Sequence, residues 1–313
     1  MFGLKAVAKR RRSGVRCRAM AAEGNQKLQR NQDGILYVVA TPIGHMGDIT
    51  LRALETLKNA QCVAAEDTRK TGRLLARYGI KNRLVSFHEH NEETRTVELM
   101  RRLQSGLSVA LVSNAGTPTL SDPGYRLVSA AVNAGIKIVP IPGASAMVAA
   151  LSASGLPTDA FVFVGFLNRR KNRRRQELMR LAAENRTLVI YESPNRLPDL
   201  MQDIAEILGE RRVVLSREMT KQHEEFLRGT VRAVAAVLED KGEIKGECTL
   251  LVSGRSETEE APRGDVRCFI REALTAGNPR LTELAKVVAD RFAWSRQTAY
   301  REILAVKNEE SSS

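Results

Sequence analysis

Three turns rich in glycine, proline and small polar residues carry the most distinctive chemistry in this sequence. Each follows an apolar segment of strand length, and together they cover Thr41–Asp48, Ser113–Gly124 and Pro140–Ala146. In open α/β sheets, ligands bind beyond the carboxyl ends of the strands, where such turns let the backbone approach the ligand closely. Any one of these turns could be an ordinary loop, but three of them together indicate a ligand-binding cleft.

The common phosphate and metal signatures are missing from the sequence. No Gly-Lys-Ser/Thr follows a glycine-rich run, and no G-x-G-x-x-G follows the first apolar segment, so a P-loop and a dinucleotide fingerprint are both absent. The four cysteines and four histidines have neither metal-ligand spacing nor the pattern of a disulfide framework. We therefore expect no structural metal and a reducing compartment.

An acidic pair, Glu66 and Asp67, ends the second apolar segment and is followed by Arg69. A buried acidic pair costs desolvation free energy unless cations or hydrogen bonds match it. Arg69 could simply neutralise the pair, or the group could act on a substrate. Position alone leaves both interpretations open.

A basic run at Asn168–Arg175 is the strongest electrostatic feature. Six of its eight residues are basic: Arg169, Arg170, Lys171, Arg173, Arg174 and Arg175. Cations at a helix N-terminus oppose the helix dipole, so helix stability does not explain them, whereas contact with phosphates does. The whole chain carries a formal charge of +13, which also favours a polyanionic partner. A solvated basic surface is the alternative, and the position of the run near the cleft favours RNA.

The elements that must position these groups alternate regularly from Gly34 onward. Apolar strands and amphipathic helices follow one another up to about residue 154, which predicts a mostly parallel sheet covered on both faces. Gly155–Asp159 resembles a linker and precedes a second α/β set. The fold class expected is thus α/β, with two α/β domains, a ligand cleft between them and a small all-helical C-terminal module.

The expected domain limits are 34–154, 155–254 and 264–308, the last a module like a helix-turn-helix. Before Glu23, residues 1–33 carry seven basic residues and no acidic one. We expect a disordered extension there, although an organellar presequence, an RNA-binding arm and a translation start at Met20 all remain open. No apolar stretch approaches the roughly 20 residues that a membrane span needs. We expect no membrane association.

Nine short segments together resemble the small-subunit ribosomal RNA methyltransferases of the tetrapyrrole-methylase-like class. They occur in the order of that family over about residues 34–254: Ala40–Gly44, Ala65–Arg69, His88–Asn91, Ala115–Pro118, Ser121–Gly124, Pro142–Ser145, Gly165–Leu167, Tyr191–Pro194 and Arg217–Lys221. A match of this breadth is far more specific than any single motif.

The resemblance implies transfer of a methyl group from S-adenosyl-L-methionine to a cytidine ribose 2′-oxygen in the decoding region of 16S rRNA. It further implies action on the assembled small subunit, a homodimer and a cytoplasmic location. The cofactor-binding residues expected on this basis are Thr41, Pro42, Ser113, Asn114, Ala115, Gly116, Thr117, Ser145 and Ala146. The expected RNA-binding residues are Arg69 and the six basic residues of the run.

A ribose hydroxyl is a weak nucleophile, so a nearby base should accept its proton. Glu66 or Asp67 is the candidate, because each should lie at a strand's carboxyl end facing the cleft. This sequence departs from the family at three positions, where Asp, Asn and Pro are common in place of Asn114, His45 and Asn168. Asn114 can still form hydrogen bonds but lacks a carboxylate charge, so we expect it to bind the cofactor and not to act in catalysis. The alternatives are a tetrapyrrole or corrinoid methylase of the same fold and a non-catalytic ribosome-binding protein.

Overall fold

Five short apolar strands form a fully parallel first sheet in the computed structural model, which describes residues 34–242, 244–255, 263–277, 280–292, 294 and 296–311. The extension at residues 1–33 lies outside these described residues. The strands are β1 (Leu36–Val39), β2 (Cys62–Ala65), β3 (Leu84–Ser86), β4 (Val109–Val112) and β5 (Ile138–Ile141). Their spatial order is β3-β2-β4-β1-β5. β2 and β4 are buried along their whole length, as expected for strands covered on both faces.

Five helices follow these strands in the chain: α1 (Leu51–Asn59), α2 (Thr68–Arg77), α3 (Glu92–Gln104), α4 (Tyr125–Asn133) and α5 (Ala146–Ser154). Thr50 caps α1 by accepting a hydrogen bond from the backbone N–H of Ala53. α5 ends at Gly155, whose left-handed φ of 75° suits a glycine helix terminus. Leu99 and Leu127 pack on one face of the sheet, and Leu57 and Leu75 pack on the other.

The second sheet has the order β6-β7-β10-β8-β9. Its strands are β6 (Phe161–Phe166), β7 (Thr187–Glu192), β8 (Arg212–Arg217), β9 (Glu225–Thr230) and β10 (Cys248–Val252). β6 and β7 are parallel, and the remaining pairs are antiparallel. Helices α6 (Lys171–Leu181), α7 (Leu197–Ile207) and α8 (Val231–Lys241) accompany this sheet. The sequence did not predict β9, because this half-exposed strand has no apolar run.

The C-terminal part contains α9 (Arg263–Gly277), α10 (Leu281–Phe292) and α11 (Arg296–Ser311). Val266, Ile270, Val288 and Ile303 are fully buried in their shared core. Two α/β sheets followed by helices confirm the predicted fold class. In the part of the chain that the structure describes, no helix is long and apolar enough to cross a bilayer.

The two sheets are joined by an apolar core of their own. Ala150 and Leu151 of α5 pack with Val189 of β7 and Leu251 of β10. Helix α5, which directly precedes the expected linker at Gly155, therefore packs against the second sheet. The domain limits at 154 and 155 stay a prediction.

Candidate active site

Backbone and hydroxyl hydrogen bonds hold the three predicted turns together. Thr41 and Gly116 exchange two backbone hydrogen bonds of 2.9 Å, which join the turn after β1 to the turn after β4. The Thr41 hydroxyl also donates to the Ser113 carbonyl at 3.3 Å. The Thr117 hydroxyl donates to the Ala144 carbonyl at 3.4 Å, which adds the turn after β5. The turns thus form one continuous surface at the carboxyl edge of the first sheet.

A cavity of about 330 Å³ lies over this surface and is closed on its other side by the second sheet. Five of the residues predicted to bind the cofactor line it: Ala115, Gly116, Thr117, Ser145 and Ala146. The second sheet contributes Phe166, the segment Tyr191–Pro194 and the segment Gly246–Thr249. The cleft predicted from the turns is therefore present, with walls from both sheets.

The second-sheet wall comes from strand ends that meet at one edge. β7 ends where the antiparallel β10 begins, so Cys248 lies opposite Glu192 and Thr249 opposite Tyr191. Sequence reasoning did not select these residues. Tyr191–Pro194 belongs to one of the family motifs, and that motif is the signal that could have identified them.

Close contacts join the two halves of the protein beside the cavity. A Cβ atom added at Gly44 would lie 2.6 Å from both Thr220 Oγ1 and Lys221 Cγ, so only glycine fits there without displacement. The His45 N–H donates to Thr220 Oγ1 at 2.9 Å. The Met147 N–H, in the first turn of α5, donates to the Tyr191 hydroxyl of β7 at 3.1 Å. These contacts join the first-sheet turns directly to the second sheet.

The other predicted cofactor residues, Thr41, Pro42, Ser113 and Asn114, lie beside or beneath the lining. Thr41 and Ser113 are each 3% exposed and make the turn contacts described above. The Asn114 N–H donates to Glu66 Oε2 at 3.0 Å. The Asn114 side-chain Oδ1 is buried and accepts no hydrogen bond from the described residues. Such an acceptor, next to Ala115 in the lining, is available to a donor on a bound molecule.

The predicted acidic pair lies outside the described lining of the cavity. Asp67 is the N-cap of α2 and accepts from the backbone N–H groups of Arg69 and Lys70 at 2.8 and 3.4 Å. Its carboxylate also pairs with the Arg69 guanidinium at 3.2 Å, and hydrogen bonding from Arg69 lowers the pKa of Asp67. Glu66 instead holds the turn after β4 through Asn114. Both carboxylates thus have local structural partners.

Asp122 is the carboxylate that the first-sheet turns contribute to the cavity lining. Asp122 lies near the end of the long turn after β4, Ser113–Gly124, and within the Ser121–Gly124 motif. Burial raises its pKa to about 6, with a further contribution from the negative charge of Glu66, while a hydrogen bond from Ser113 opposes the rise. A carboxylate with a raised pKa inside a cleft is typical of functional sites.

The basic run divides into exposed and buried members. Arg169, Arg170, Lys171 and Arg173 are exposed around the start of α6. Arg174 is 2% exposed, and its guanidinium lies 2.7 Å from the carboxylate of Asp203, which is itself buried. Arg175 pairs with the same carboxylate at 2.7 Å. We therefore correct the expectation for Arg174: a buried guanidinium engaged with Asp203 is not available to RNA phosphates.

Comparison with known proteins identifies the family. The family model for tetrapyrrole (corrin/porphyrin) methylases matches residues 35–235. A ribosomal RNA small subunit methyltransferase I of Halalkalibacterium halodurans is 52% identical over 232 residues, 74% of this chain and 80% of that protein. The protein of the same name from Escherichia coli O157:H7 is 44% identical over 274 residues, 87% of this chain and 95% of that protein. This chain belongs to the ribosomal RNA small subunit methyltransferase I family.

Solved structures agree on the fold. Uroporphyrin-III C-methyltransferase from Thermus thermophilus superposes with a TM-score of 0.51 at 24% identity, over 70% of this chain and 94% of that chain. The methyltransferase CobJ superposes with a TM-score of 0.55 at 19% identity, over 71% and 94%. The chain is a methyltransferase of the tetrapyrrole methylase fold, and its methyl donor is S-adenosylmethionine.

The cavity suits this donor chemically. S-adenosylmethionine has a cationic sulfonium, an ammonium group and an adenosine with several hydrogen-bonding groups. The lining offers the carboxylates of Asp122 and Glu192, and the unpartnered Asn114 Oδ1 lies beside it. Ile43 and Phe166 supply apolar surface. Negative charge and apolar surface together fit a cationic nucleoside.

Proposed function

We propose that the enzyme methylates the ribose 2′-oxygen of a cytidine in the decoding region of 16S rRNA. The observation that carries this proposal is the continuity between the cavity and the exposed basic residues. Phe166 lines the cavity and is 58% exposed, and the basic run begins only three residues later at Arg169. A phosphate-binding surface at the mouth of a methyl-donor cavity suits a polynucleotide substrate. The names of the relatives support the same class of substrate.

In this proposal the three first-sheet turns hold S-adenosylmethionine. Thr41, Pro42 and Ser113 shape the floor, Asn114 accepts a hydrogen bond from the cofactor, and Ala115–Thr117, Ser145 and Ala146 contact it directly. The donor supplies an electrophilic methyl group, so these residues contribute mainly by fixing its position and orientation. The close packing of Gly44 against the second sheet helps to exclude water from the cavity.

The exposed basic residues hold the RNA backbone in this proposal. Arg169, Arg170, Lys171 and Arg173 face solvent, and most of the Arg69 guanidinium is exposed despite its contact with Asp67. Arg175 is occupied by Asp203 and Glu206, so its contribution to RNA binding is small. We include action on the assembled small subunit, a homodimeric state and a cytoplasmic location in the proposal, on the strength of the family resemblance.

Methyl transfer to purified small subunits tests the proposal. Wild-type protein and labelled S-adenosylmethionine should place label on 16S rRNA in unmodified subunits, and none on a tetrapyrrole. Replacing Arg169, Arg170, Lys171 and Arg173 by alanine together should abolish most labelling while leaving cofactor affinity unchanged. Loss of cofactor affinity in this variant would contradict the division between the two binding surfaces, and labelling of the tetrapyrrole alone would contradict the proposed substrate.

A further inference from the structure

Three carboxylates line the cavity, and two of them already have cationic partners. Glu192 is buried, accepts from the Ser193 N–H at 2.7 Å and pairs with Arg196 at 3.0 Å. Glu247 has a largely exposed side chain and pairs with Lys221 at 3.1 Å. Asp122 differs from both, because no lysine or arginine in the described part of the chain acts on its carboxylate. Of the three, only Asp122 is therefore free to accept a proton without first breaking an ion pair.

The backbone around Asp122 is held in an unusual conformation. Thr119 and Ser121 have left-handed φ values of 75° and 64°, although neither is a glycine. Such conformations cost free energy and persist where the surroundings enforce them, often at functional sites. Here Glu92 Oε1 accepts the Gly124 N–H at 3.0 Å on one side of the loop. On the other side, the Ser121 hydroxyl packs so tightly against Gly165 that a Cβ atom there would lie 2.8 Å from it.

Burial, and after it the negative charge of Glu66, make Asp122 more basic than an ordinary aspartate. Glu66 acts on it from the end of β2, and Tyr191 faces it from β7. The other titratable groups in the same lining are Glu192, Glu247 and Cys248. The thiol stays neutral, because burial raises the pKa of Cys248 to about 11. A base that titrates near the working pH is both ionised and able to accept a proton.

We propose that Asp122 is the general base that accepts the proton of the substrate's ribose 2′-hydroxyl. The O–H bonding pair then forms the new bond from oxygen to the methyl carbon. The bond from that carbon to the donor sulfur breaks, and its electron pair stays on the sulfur. The products are the 2′-O-methyl ribose, S-adenosylhomocysteine and a protonated Asp122, which returns its proton to solvent. The assignment rests on the proposed ribose methylation.

The direct test is single-turnover methylation of small subunits by Asp122→Asn, with cofactor affinity measured separately by calorimetry. Asparagine has the same shape but is not a base, so we expect a rate lower by about 10²- to 10⁴-fold. Because the variant also loses one negative charge of the lining, we expect a much smaller loss of cofactor affinity, below about tenfold. Asp240→Asn is the matched control, because Asp240 is exposed on α8 and outside the cavity lining. It should retain the wild-type rate.

The pH dependence gives a second test that needs no loss of the Asp122 carboxylate. The wild-type rate should fall with unit slope below about pH 6, where Asp122 becomes protonated. Glu66→Gln keeps an acceptor for the Asn114 N–H but removes a negative charge, which should lower the pKa of Asp122. The acidic limb of the pH–rate profile, where the rate falls, should therefore move to lower pH. A merely structural Asp122 would leave this limb unmoved.

Four outcomes separate the possible failures. An Asp122→Asn variant with the wild-type rate, or an acidic limb unchanged in Glu66→Gln, would overturn the assignment. Equal losses of rate and cofactor affinity would show instead that Asp122 binds the cationic cofactor. If the wild-type enzyme binds the cofactor but leaves every ribose unmethylated, the proposed function fails before the identity of the base is in question.

Discussion

Replacing Arg174 by alanine should destabilise the fold without acting through RNA. Arg174 lies in the middle of the basic run, yet its guanidinium is buried against Asp203 at 2.7 Å, and Asp203 is 1% exposed. Removing one partner of a buried ion pair leaves the other charge without compensation, at a cost of about 3–5 kcal/mol. Arg175 also contacts Asp203, so we expect a loss near the lower end, about 3 kcal/mol.

This loss should be easy to measure. A folded unit of about 150–250 residues loses about 2–4 °C in Tm for each kcal/mol of stability. If the two packed α/β halves unfold together, a loss of about 3 kcal/mol corresponds to a fall of about 6–12 °C in Tm. The assay is thermal unfolding followed by circular dichroism, with Arg173→Ala as the matched control. Arg173 is exposed on the same helix and forms no ion pair with the described residues, so its replacement should change stability by less than about 0.5 kcal/mol.

The two variants should also differ in RNA binding. Arg173→Ala should weaken binding to small subunits and reduce the slope of log affinity against log salt by about 1. Arg174→Ala, measured well below its Tm, should keep the wild-type slope. An Arg174→Ala variant that is as stable as wild type and instead loses salt-dependent RNA affinity would show that Arg174 contacts RNA and does not stabilise the fold.

Three further changes test other parts of the site. Gly44→Val should lower Tm and cofactor affinity together, because overpacking at this contact costs about 1–3 kcal/mol of stability. The control Gly72→Ala should leave both Tm and cofactor affinity unchanged, because its added Cβ would make only an ordinary 3.6 Å contact. Asp67→Ala should cost about 1 kcal/mol of stability through loss of the α2 cap, while the rate of methyl transfer stays unchanged. A folded variant with a strongly reduced rate of methyl transfer would restore Asp67 as a catalytic candidate. Burial raises the pKa of Asp122 from 3.8 to about 6, so the native state binds this proton more tightly than the unfolded state and loses stability as pH rises through that window. At about pH 8, Asp122→Asn should therefore be more stable than wild type by about 1–2 kcal/mol after allowance for solvent screening, and its Tm should be higher. At about pH 4 the two proteins should have the same Tm. Equal Tm values at both pH values would contradict this.

The parts of the fold that repeat a simple pattern could be predicted from the sequence. Continuous apolar strands such as Val109–Val112, separated by amphipathic helices, predict a parallel sheet with both faces covered, and the structure has one. β9 escaped prediction, because an edge strand such as Glu225–Thr230 needs no apolar run. The antiparallel pairing of β10 also depends on contacts between distant segments, which no local pattern records.

The site could be predicted only in part, for a related reason. Turn composition predicted a cleft beside the turns after β4 and β5, and Ala115–Thr117 and Ser145 of these turns line the cavity. Which acidic residue enters the cavity depends on the path of the backbone after each strand. Asp67 starts a helix and is used as its cap, whereas Asp122 lies in a loop whose left-handed residues carry it into the lining. Likewise, residue type alone does not distinguish the buried Arg174 from the exposed Arg173, because helical position decides which side chains face Asp203.

Mapping of ribose methylation along 16S rRNA shows directly whether the enzyme methylates a 2′-oxygen of the decoding region. Small subunits that lack the modification would be incubated with the purified enzyme and S-adenosylmethionine, and each nucleotide would then be scored for resistance to alkaline cleavage. We expect one new resistant linkage, at a cytidine of the decoding region. It should disappear when the exposed residues Arg169, Arg170, Lys171 and Arg173 are all replaced by alanine. Methylation confined to a base, or no methylation of 16S rRNA by an enzyme that binds the cofactor, would contradict the proposed ribose methylation.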